Sequence, residues 1–434
     1  MELTEKIDRW IKDNEENIID ELSGLIHIKT INNPPGGNEK PGQEYIYNLI
    51  SKYLPEKDID IFEIDEVKGL RENKLFFGTI DGLEKVYKNR PNLVAKIAGQ
   101  GSGKSLCFSG HMDVMPVKEK RWEVFEDPFS GKIKDGKMYG RGTADMKAGT
   151  YAGFAAIKCI KDIGLKLKGD VYAESVVDEE NGGVNGTIAA RLRNPDIDFA
   201  ILSEPSGLKM GIESIGGTDW VVKISEDGPG GITTEVDLPN PIYKLGKIAF
   251  ALEKYDKEVL PYLTVPEAYK KDFKIRLLTF QIYSGGNGYS QSGAVPLKGH
   301  MFFWLESFAY QKEETYKEKF LNFMHDELSK CDDFKNNFPE FKPVIRYLGG
   351  HMTERNHPAI SSIRKAYELS GIKCEERGVP FAMDAFAFRE TSKTEVVVIG
   401  PRGDNLHGID EYVEIESFFK LIKLMVLSAA NYCN

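Results

Sequence analysis

Five short apolar runs, at 92–97, 106–109, 171–177, 199–203 and 395–399, constrain this chain more than any other feature. Each is rich in Val, Ile, Phe or Ala and is bounded by Gly, Asp or Pro. A half-exposed strand alternates apolar and polar residues. A near-continuous apolar strand must instead be covered on both faces. Helical stretches at 146–163 and 184–192 lie between the runs. Strands and helices in that alternation predict an α/β layer around a buried, mostly parallel sheet.

The flanking segments fill in the organisation. Within 1–30, Ile7, Trp10, Ile11, Ile18, Leu22, Leu25 and Ile26 fall on one helical face, which reads as a docked amphipathic helix. Acidic residues interrupt that segment, so it lacks the apolar run of a signal peptide. No stretch approaches the ~20 consecutive apolar residues of a membrane span. The middle of the chain reads as strand 220–224, helix 242–255, strands 275–283 and 300–305, helix 313–328 and strand 342–347. That β-α-β-β-α-β order is the ferredoxin-like split unit. The expected organisation is therefore one domain formed by 1–214 and 350–434, interrupted by an inserted α+β domain at 215–349.

Composition narrows the function classes. The 57 basic and 67 acidic residues give a net charge of −10, and 41 % of the chain is hydrophobic. That excludes a disordered chain and an integral membrane protein. It also gives no clustered basic surface for nucleic acid. The five cysteines, at 107, 159, 331, 374 and 433, are odd in number, scattered and never spaced C-x-x-C. They are expected to be reduced thiols of a cytoplasmic protein, not a disulfide scaffold or a Cys-rich zinc site. Residues 98–105 match a loose phosphate-binding loop, but that chemistry needs a helix immediately afterwards. The strand at 106–109 follows instead, so the segment is expected to be a glycine-rich hairpin turn and not a nucleotide site.

Acids and histidines recur after the apolar runs. His111 and Asp113 follow the second run, Asp178-Glu179-Glu180 the third, Glu204 the fourth and His407 the fifth, while Asp145 precedes the long helix. Ligand sites in open α/β sheets lie beyond the carboxyl ends of the strands, so these groups can converge in one crevice. Two imidazoles with several carboxylates form a ligand set for a divalent metal such as zinc. Adjacent residues leaving a strand diverge, so one of Glu179 and Glu180 can ligate metal while the other faces bound water. His111 and Asp113 share one side of an extended segment, which places Asp113 to hydrogen-bond the imidazole. Histidines 27, 300, 325, 351 and 357 lack that context and read as structural or surface residues.

Gly110-His111-Met112-Asp113-Val114-Met115-Pro116, the segment from Gly140 to Gly149 around Asp145, and Asp178-Glu179-Glu180-Asn181-Gly182-Gly183 carry a resemblance, as do Ser203-Glu204-Pro205-Ser206 and His407 with Asp410-Glu411-Tyr412-Val413. Together these segments resemble the M20 metallopeptidases, a family that includes acetylornithine deacetylase, succinyl-diaminopimelate desuccinylase, aminoacylase and glutamate carboxypeptidases. The resemblance implies a metallohydrolase catalytic domain interrupted by a ferredoxin-like lid and dimerisation domain. It implies two divalent ions, zinc with cobalt or manganese as alternatives, bridged by Asp145. His111 and Glu204 would complete one ion, and Glu180 and His407 the other. Glu179 would be the general base, Asp113 would orient His111, and the Asp145–Met146 peptide would be cis. The implied reaction is hydrolysis of an amide bond in an N-acyl amino acid or short peptide by metal-activated water, in a homodimer. The alternatives are a dipeptidase or carboxypeptidase, or a metal-binding scaffold with little activity.

The chain also departs from the family. The lid histidine is missing: 225–234 contains none, nor does any position between 111 and 300. The family's Asn-x-x-Pro reads Gly293-Ala294-Val295-Pro296, and Trp304-Leu305-Glu306 stands where Asp-x-Arg is common. Arg402, five residues before His407, is a candidate for holding a substrate carboxylate, against pairing with Asp404 or solvent.

Overall fold

The computed structural model describes residues 2–80, 82–117, 121–227, 240–285 and 295–434. Helix α1 (Leu3–His27) buries Ile7, Trp10, Ile18, Leu22, Leu25 and Ile26, the stripe expected from its spacing, while Ile11 stays partly exposed. Helix α2 (Lys40–Ile50) follows, then strands β1 (Ile59–Glu63), β2 (Pro91–Ile97) and β3 (Leu106–His111). Helix α3 (Ala148–Asp162), β4 (Val171–Val176), α4 (Asn185–Arg193), β5 (Phe199–Leu202) and β6 (Met210–Ser214) complete the first stretch. The middle of the chain contributes β7 (Gly216–Ser225), α5 (Pro241–Glu258), β8 (Leu277–Ser284), β9 (Lys298–Ser307), α6 (Glu313–Leu328) and β10 (Glu340–Pro343). The last stretch holds α7 (Pro358–Ser370), β11 (Glu376–Val379), α8 (Ala385–Thr391), β12 (Glu395–Val398) and α9 (Ile415–Tyr432). The chain divides into two compact units. One is Met1–Glu213 with Met352–Val379 and Met383–Asn434, and the other is Ser214–His351 with Pro380–Ala382.

The larger unit is built on an eight-stranded sheet ordered β11-β6-β12-β5-β3-β4-β2-β1. Its centre, β12-β5-β3-β4, is parallel throughout, and β6, β2 and β1 join antiparallel on the flanks. Every residue of β3 and β5 is buried, as apolar runs without alternation require. Helices α3 and α9 pack on β3 and on each other, and α4 and α8 pack together beside β4 and β12. The approach of α3 to β5 depends on Gly149, where a Cβ would lie 2.1 Å from the Ser203 carbonyl oxygen.

The segment 98–105 runs into a strand, as expected, but it is not a hairpin turn. β2 and β3 do not pair, because β4 lies between them. The segment crosses under the 167–170 turn instead, with the Gln100 and Gly101 amides donating to the carbonyls of Leu167 and Lys168.

The smaller unit has a four-stranded antiparallel sheet ordered β8-β9-β7-β10, the order of a ferredoxin-like split unit. Its core is Trp220, Val222, Leu245, Ile248, Leu252, Phe303 and Phe320, with Trp220 stacked on Phe303. The strand expected at 342–347 ends at Pro343. Beyond it, the Val344 amide donates to the Asp219 carbonyl and Gly217 pairs with Leu348 in an isolated bridge, while between them the Thr218 hydroxyl reaches the carbonyls of Ile345 and Arg346. Edge strand β8 is exposed along most of its length, presenting Leu278, Phe280, Ile282 and Tyr283.

Candidate metal centre

Strand register aligns the candidate residues before any side chain is considered. Val176 lies opposite His111 and Leu202 opposite Ser109, so Asp178-Glu179-Glu180 and Glu204 leave β4 and β5 level with the end of β3. Val398 pairs with Leu202, and the loop after β12 brings His407 to the same edge. Asp145 sits in the turn 143–147 that leads into α3, entered through Gly142 at φ +83°. A Cβ on Gly142 would also strike Val114 Cγ1 at 2.4 Å. The Asp145–Met146 peptide is cis.

The Asp145 carboxylate lies between the two imidazoles. Its Oδ1 is 3.1 Å from His111 Nε2 and its Oδ2 is 3.2 Å from His407 Nε2. Glu180 Oε2 is 2.9 Å from His407 Nε2. On the other side, Glu204 Oε1 and Glu179 Oε2 lie 3.7 and 3.8 Å from His111 Nε2. His111, Glu179 and Glu204 present ligand atoms within 4.8 Å of one another, as do His111, Asp145 and Glu180.

Burial and crowding govern the electrostatics. Burial, then the neighbouring charge of Asp145, pushes Glu180 up to about 7. Burial likewise raises Glu179 and Glu204 well above the carboxylate range, with Asp384 adding to both. For His111, burial opposes the charged form. The hydrogen bond to Asp145 and the charges of Glu179, Glu204 and Asp113 outweigh it and raise the imidazole well above its ordinary value. Burial also acts upward on Asp145, yet its two imidazole partners hold it below the carboxylate range. Several carboxylates thus share a low-dielectric crevice with two imidazoles, an arrangement that divalent cations neutralise better than protons do. Imidazole nitrogen and carboxylate oxygen are the donors that zinc, cobalt and manganese accept, so the residues present fit such ions.

The structure brings His111, Asp145, Glu179, Glu180, Glu204 and His407 together, and it changes the expected part of Asp113. His111 Nδ1 faces the main-chain carbonyl of Asp113 at 2.8 Å, whereas the carboxylate Oδ1 is 3.7 Å away. The carboxylate is committed elsewhere. Its Oδ2 accepts from Asn32 Nδ2 at 2.7 Å and from the amides of Glu179 and Glu180 at 2.9 and 3.1 Å. Asp113 therefore fixes the turn carrying both glutamates and orients the imidazole through its backbone. Arg402 is not brought to the cluster. Its guanidinium pairs with Glu414 at 3.2 Å, neither with Asp404 nor with any of the clustered acids. Of the lid stretch, 228–234 lies outside the described residues, as do Gly293 and Ala294.

Two further residues shape the site that sequence reasoning left without a role. Glu411 is fully buried and accepts from Arg141 Nη1 at 2.6 Å and from the amides of Gly142, Ala144 and Asp145 at 3.0–3.1 Å. Arg141 Nη2 also donates to the His407 carbonyl at 2.8 Å, tying the Asp145 turn to the His407 loop. Both residues lie inside the motifs quoted above, and a paired Arg and Glu in two such motifs was the available signal. Asp384 is buried against Thr187 Oγ1, and burial raises it to about 7.

Comparison with known proteins agrees with this geometry. Residues 107–431 match peptidase family M20/M25/M40. An N-formyl-4-amino-5-aminomethyl-2-methylpyrimidine deformylase of Bacillus subtilis (strain 168) is 26 % identical over 460 aligned positions, covering 99 % of this chain and 97 % of that one. A succinyl-diaminopimelate desuccinylase of Methylobacterium radiotolerans is 41 % identical over 128 residues, 28 % of this chain and 32 % of that one. Among solved structures, a di-peptidase of Saccharomyces cerevisiae superposes with a TM-score of 0.78 at 14 % identity, covering 99 % of this chain and 98 % of that one, which shows the shared fold. With the family match running from β3 into α9, the chain belongs to peptidase family M20/M25/M40, a family of amide-bond hydrolases.

Proposed function

We propose that this chain is a metal-dependent hydrolase that cleaves the amide bond of an N-acyl amino acid or short peptide at the carboxyl edge of its larger sheet. The observation that carries the reading is the Asp145 carboxylate, which offers one oxygen to His111 and the other to His407. In this reading two divalent ions would be held by Asp145 together with His111 and Glu204 on one side and Glu180 and His407 on the other. Zinc is the proposed ion, with cobalt or manganese as alternatives. Bound there, such ions supply Lewis acidity that lowers the pKa of water and polarises a carbonyl.

The rest of the chemistry belongs to the chain. Glu179 touches no imidazole at hydrogen-bond distance, which leaves its carboxylate to take a proton from the attacking water and return it to the leaving nitrogen. Asp113 holds the two glutamate amides, and Glu411 holds the amide of Asp145, so none of the three acids must reorganise during the reaction. The full-length similarity to a deformylase favours a small acyl group on the substrate nitrogen. A dipeptidase or carboxypeptidase is the second reading, favoured by the dipeptidase structures that share the fold.

Five free thiols suit a reducing compartment, and we place the protein in the cytoplasm. No described helix is long and apolar enough to cross a membrane. Homodimerisation through the smaller unit is part of the same proposal, supported by the open edge of β8 and the exposed Tyr243 and Phe250 of α5.

The deciding experiment assays the zinc-, cobalt- and manganese-loaded protein on N-formyl, N-acetyl and N-succinyl amino acids and on dipeptides. Hydrolysis of an N-acyl substrate supports the deacylase, and hydrolysis of dipeptides alone supports the second reading. Tight metal binding without turnover on any substrate would establish a scaffold, consistent with the missing lid histidine.

A further inference from the structure

A second group of buried charges lies outside the proposed ligands, on the segment between the Leu83–Glu84 strand and β2. Lys85 and Tyr87 alternate inward along extended backbone, while Val86 between them is half exposed. Lys85, Tyr87, Arg90 and Asp178 are each at most 4 % exposed. Lys85 Nζ donates to both carboxylate oxygens of Asp178, at 3.0 and 3.1 Å, and Tyr87 Oη donates to Oδ2 at 2.7 Å. Arg90 Nη2 lies 3.6 Å from Asp178 Oδ1 and is itself held by the buried Glu39, whose Oε2 is 2.8 Å from Arg90 Nε. Two cations and two carboxylates make the group neutral.

Stability alone is a weak reason for such a cluster, because well-packed apolar residues replace buried ion pairs at little or no cost. Its position offers a better one. Asp178 directly precedes Glu179 and Glu180, and it adopts φ +67°, in the left-handed region that Asp enters more readily than most side chains. The Glu179 and Glu180 amides that follow both donate to Asp113 Oδ2. The turn is thus clamped twice, by the Asp178 side chain on Lys85 and Tyr87 and by its next two amides on Asp113.

We propose that Lys85 and Tyr87 are positioning residues for the amide-hydrolysing centre: by fixing the Asp178 carboxylate they hold the Asp178–Glu180 turn, and so aim Glu179 and Glu180 in their separate directions. This role rests on the functions proposed above for Glu179 and Glu180. Lys85 and Tyr87 act through Asp178 and touch neither glutamate.

The test uses the full-length protein in two arms. In the first, amide hydrogen exchange is followed on metal-free wild type, Lys85→Met and Tyr87→Phe, with Arg191→Met as a control. Arg191→Met breaks the buried pair between Arg191 of α4 and Glu174 of β4, a pair that makes no contact with Asp178. Losing one charge-assisted hydrogen bond is expected to speed exchange of the Glu179 and Glu180 amides about tenfold relative to β3. The control is expected to lower the melting temperature without that selective change. Tyr87→Phe removes a single hydroxyl, so it keeps the test decisive if Lys85→Met fails to fold. Wild-type exchange at these two amides in folded Tyr87→Phe, or in both variants, overturns the proposal.

In the second arm, the metal-loaded Tyr87→Phe enzyme is expected to lose about tenfold in kcat with KM unchanged, the mark of misplaced groups and not of lost substrate binding. A wild-type protein that neither binds divalent ions nor hydrolyses amides would defeat the proposed function. The exchange arm would still decide whether Lys85 and Tyr87 hold the turn.

Discussion

The eight-stranded sheet of the larger unit and the four-stranded sheet of the smaller one face the same burial problem and reach opposite outcomes. In the larger sheet β3 and β5 are buried at every position, so their polar chemistry is confined to the strand ends, where His111 and Glu204 emerge beside Glu179 and Glu180. In the smaller sheet, β7 and β9 bury their core-facing side chains around Trp220 and Phe303, while edge strand β8 exposes most of its length. A sheet covered on both faces concentrates buried charge at one edge, which suits a low-dielectric reaction site. An antiparallel sheet with an open edge offers a long row of unpaired backbone groups and apolar side chains, which suits association. The contrast matches the proposed division, with chemistry in one unit and association through the other.

Glu179→Gln tests the first half of that contrast with the largest expected effect. Turnover should fall by about 10²–10⁴-fold while bound metal and melting temperature stay at wild-type values. A variant near the wild-type rate would move the base elsewhere. Glu411→Ala should cost roughly 3–5 kcal/mol in urea denaturation, because it strands the Arg141 guanidinium inside the protein. It should also loosen metal binding, since the Asp145 amide loses its acceptor. Unchanged stability would mean that Arg141 finds another counter-charge.

A buried acid in the larger unit and a half-buried one in the smaller let the comparison be made by pH. Burial raises Glu213 in the larger unit from 4.5 to about 7, with Arg355 pulling the other way. Burial raises Asp219 in the smaller unit from 3.8 to about 6. A carboxyl whose pKa is higher in the folded state favours folding when protonated. Its contribution is therefore complete below the unfolded value and is lost as pH rises through the folded one. Glu213→Gln should remove a loss on the order of 3 kcal/mol between about pH 4.5 and 7. Asp219→Asn should remove a similar slope at lower pH, between about 3.8 and 6. Denaturation midpoints measured at intervals from pH 4 to 8 separate the two, and a variant whose slope matches wild type would show that the acid is solvated. The smallest expected change in stability comes from Phe280→Lys combined with Ile282→Lys on β8, within about 0.5 kcal/mol because both residues are half exposed. Sedimentation should nevertheless show a dimer becoming monomeric, and a wild-type monomer would break the association half of the contrast.

The legibility of this chain follows the range of the interactions. Helix α6 has the bounds read from the sequence, Glu313–Leu328, because its apolar spacing is local and is met by the core on one face. The central strands were equally plain, since covering both faces leaves a continuous apolar run. The segment 98–105 does not form the expected hairpin, because no local pattern reveals that β4 inserts between β2 and β3. At the site, His111, Glu180 and His407 stand out by residue type after strand ends, and Asp145 by its place before the long helix. The roles of Asp113 and Arg402 did not, because each depends on which neighbour wins a hydrogen bond. Asp113 is taken by the Glu179 and Glu180 amides, and Arg402 by Glu414.

The sequence alone makes legible five of the eight strands of the larger sheet, though not β1, β6 and β11, together with the acids and imidazoles at strand ends and the α+β segment that interrupts the pattern. Those features are written in burial periodicity and residue chemistry within a few positions of each other. Only the tertiary structure decided that Asp145 lies between two imidazoles, that Glu411 and Arg141 brace its turn, and that Lys85 and Tyr87 grip Asp178. The Asp178 contacts join residues more than 90 positions apart, and the Arg141–Glu411 pair spans 270. Buried charges choose partners by distance and desolvation across the fold, which no local pattern encodes.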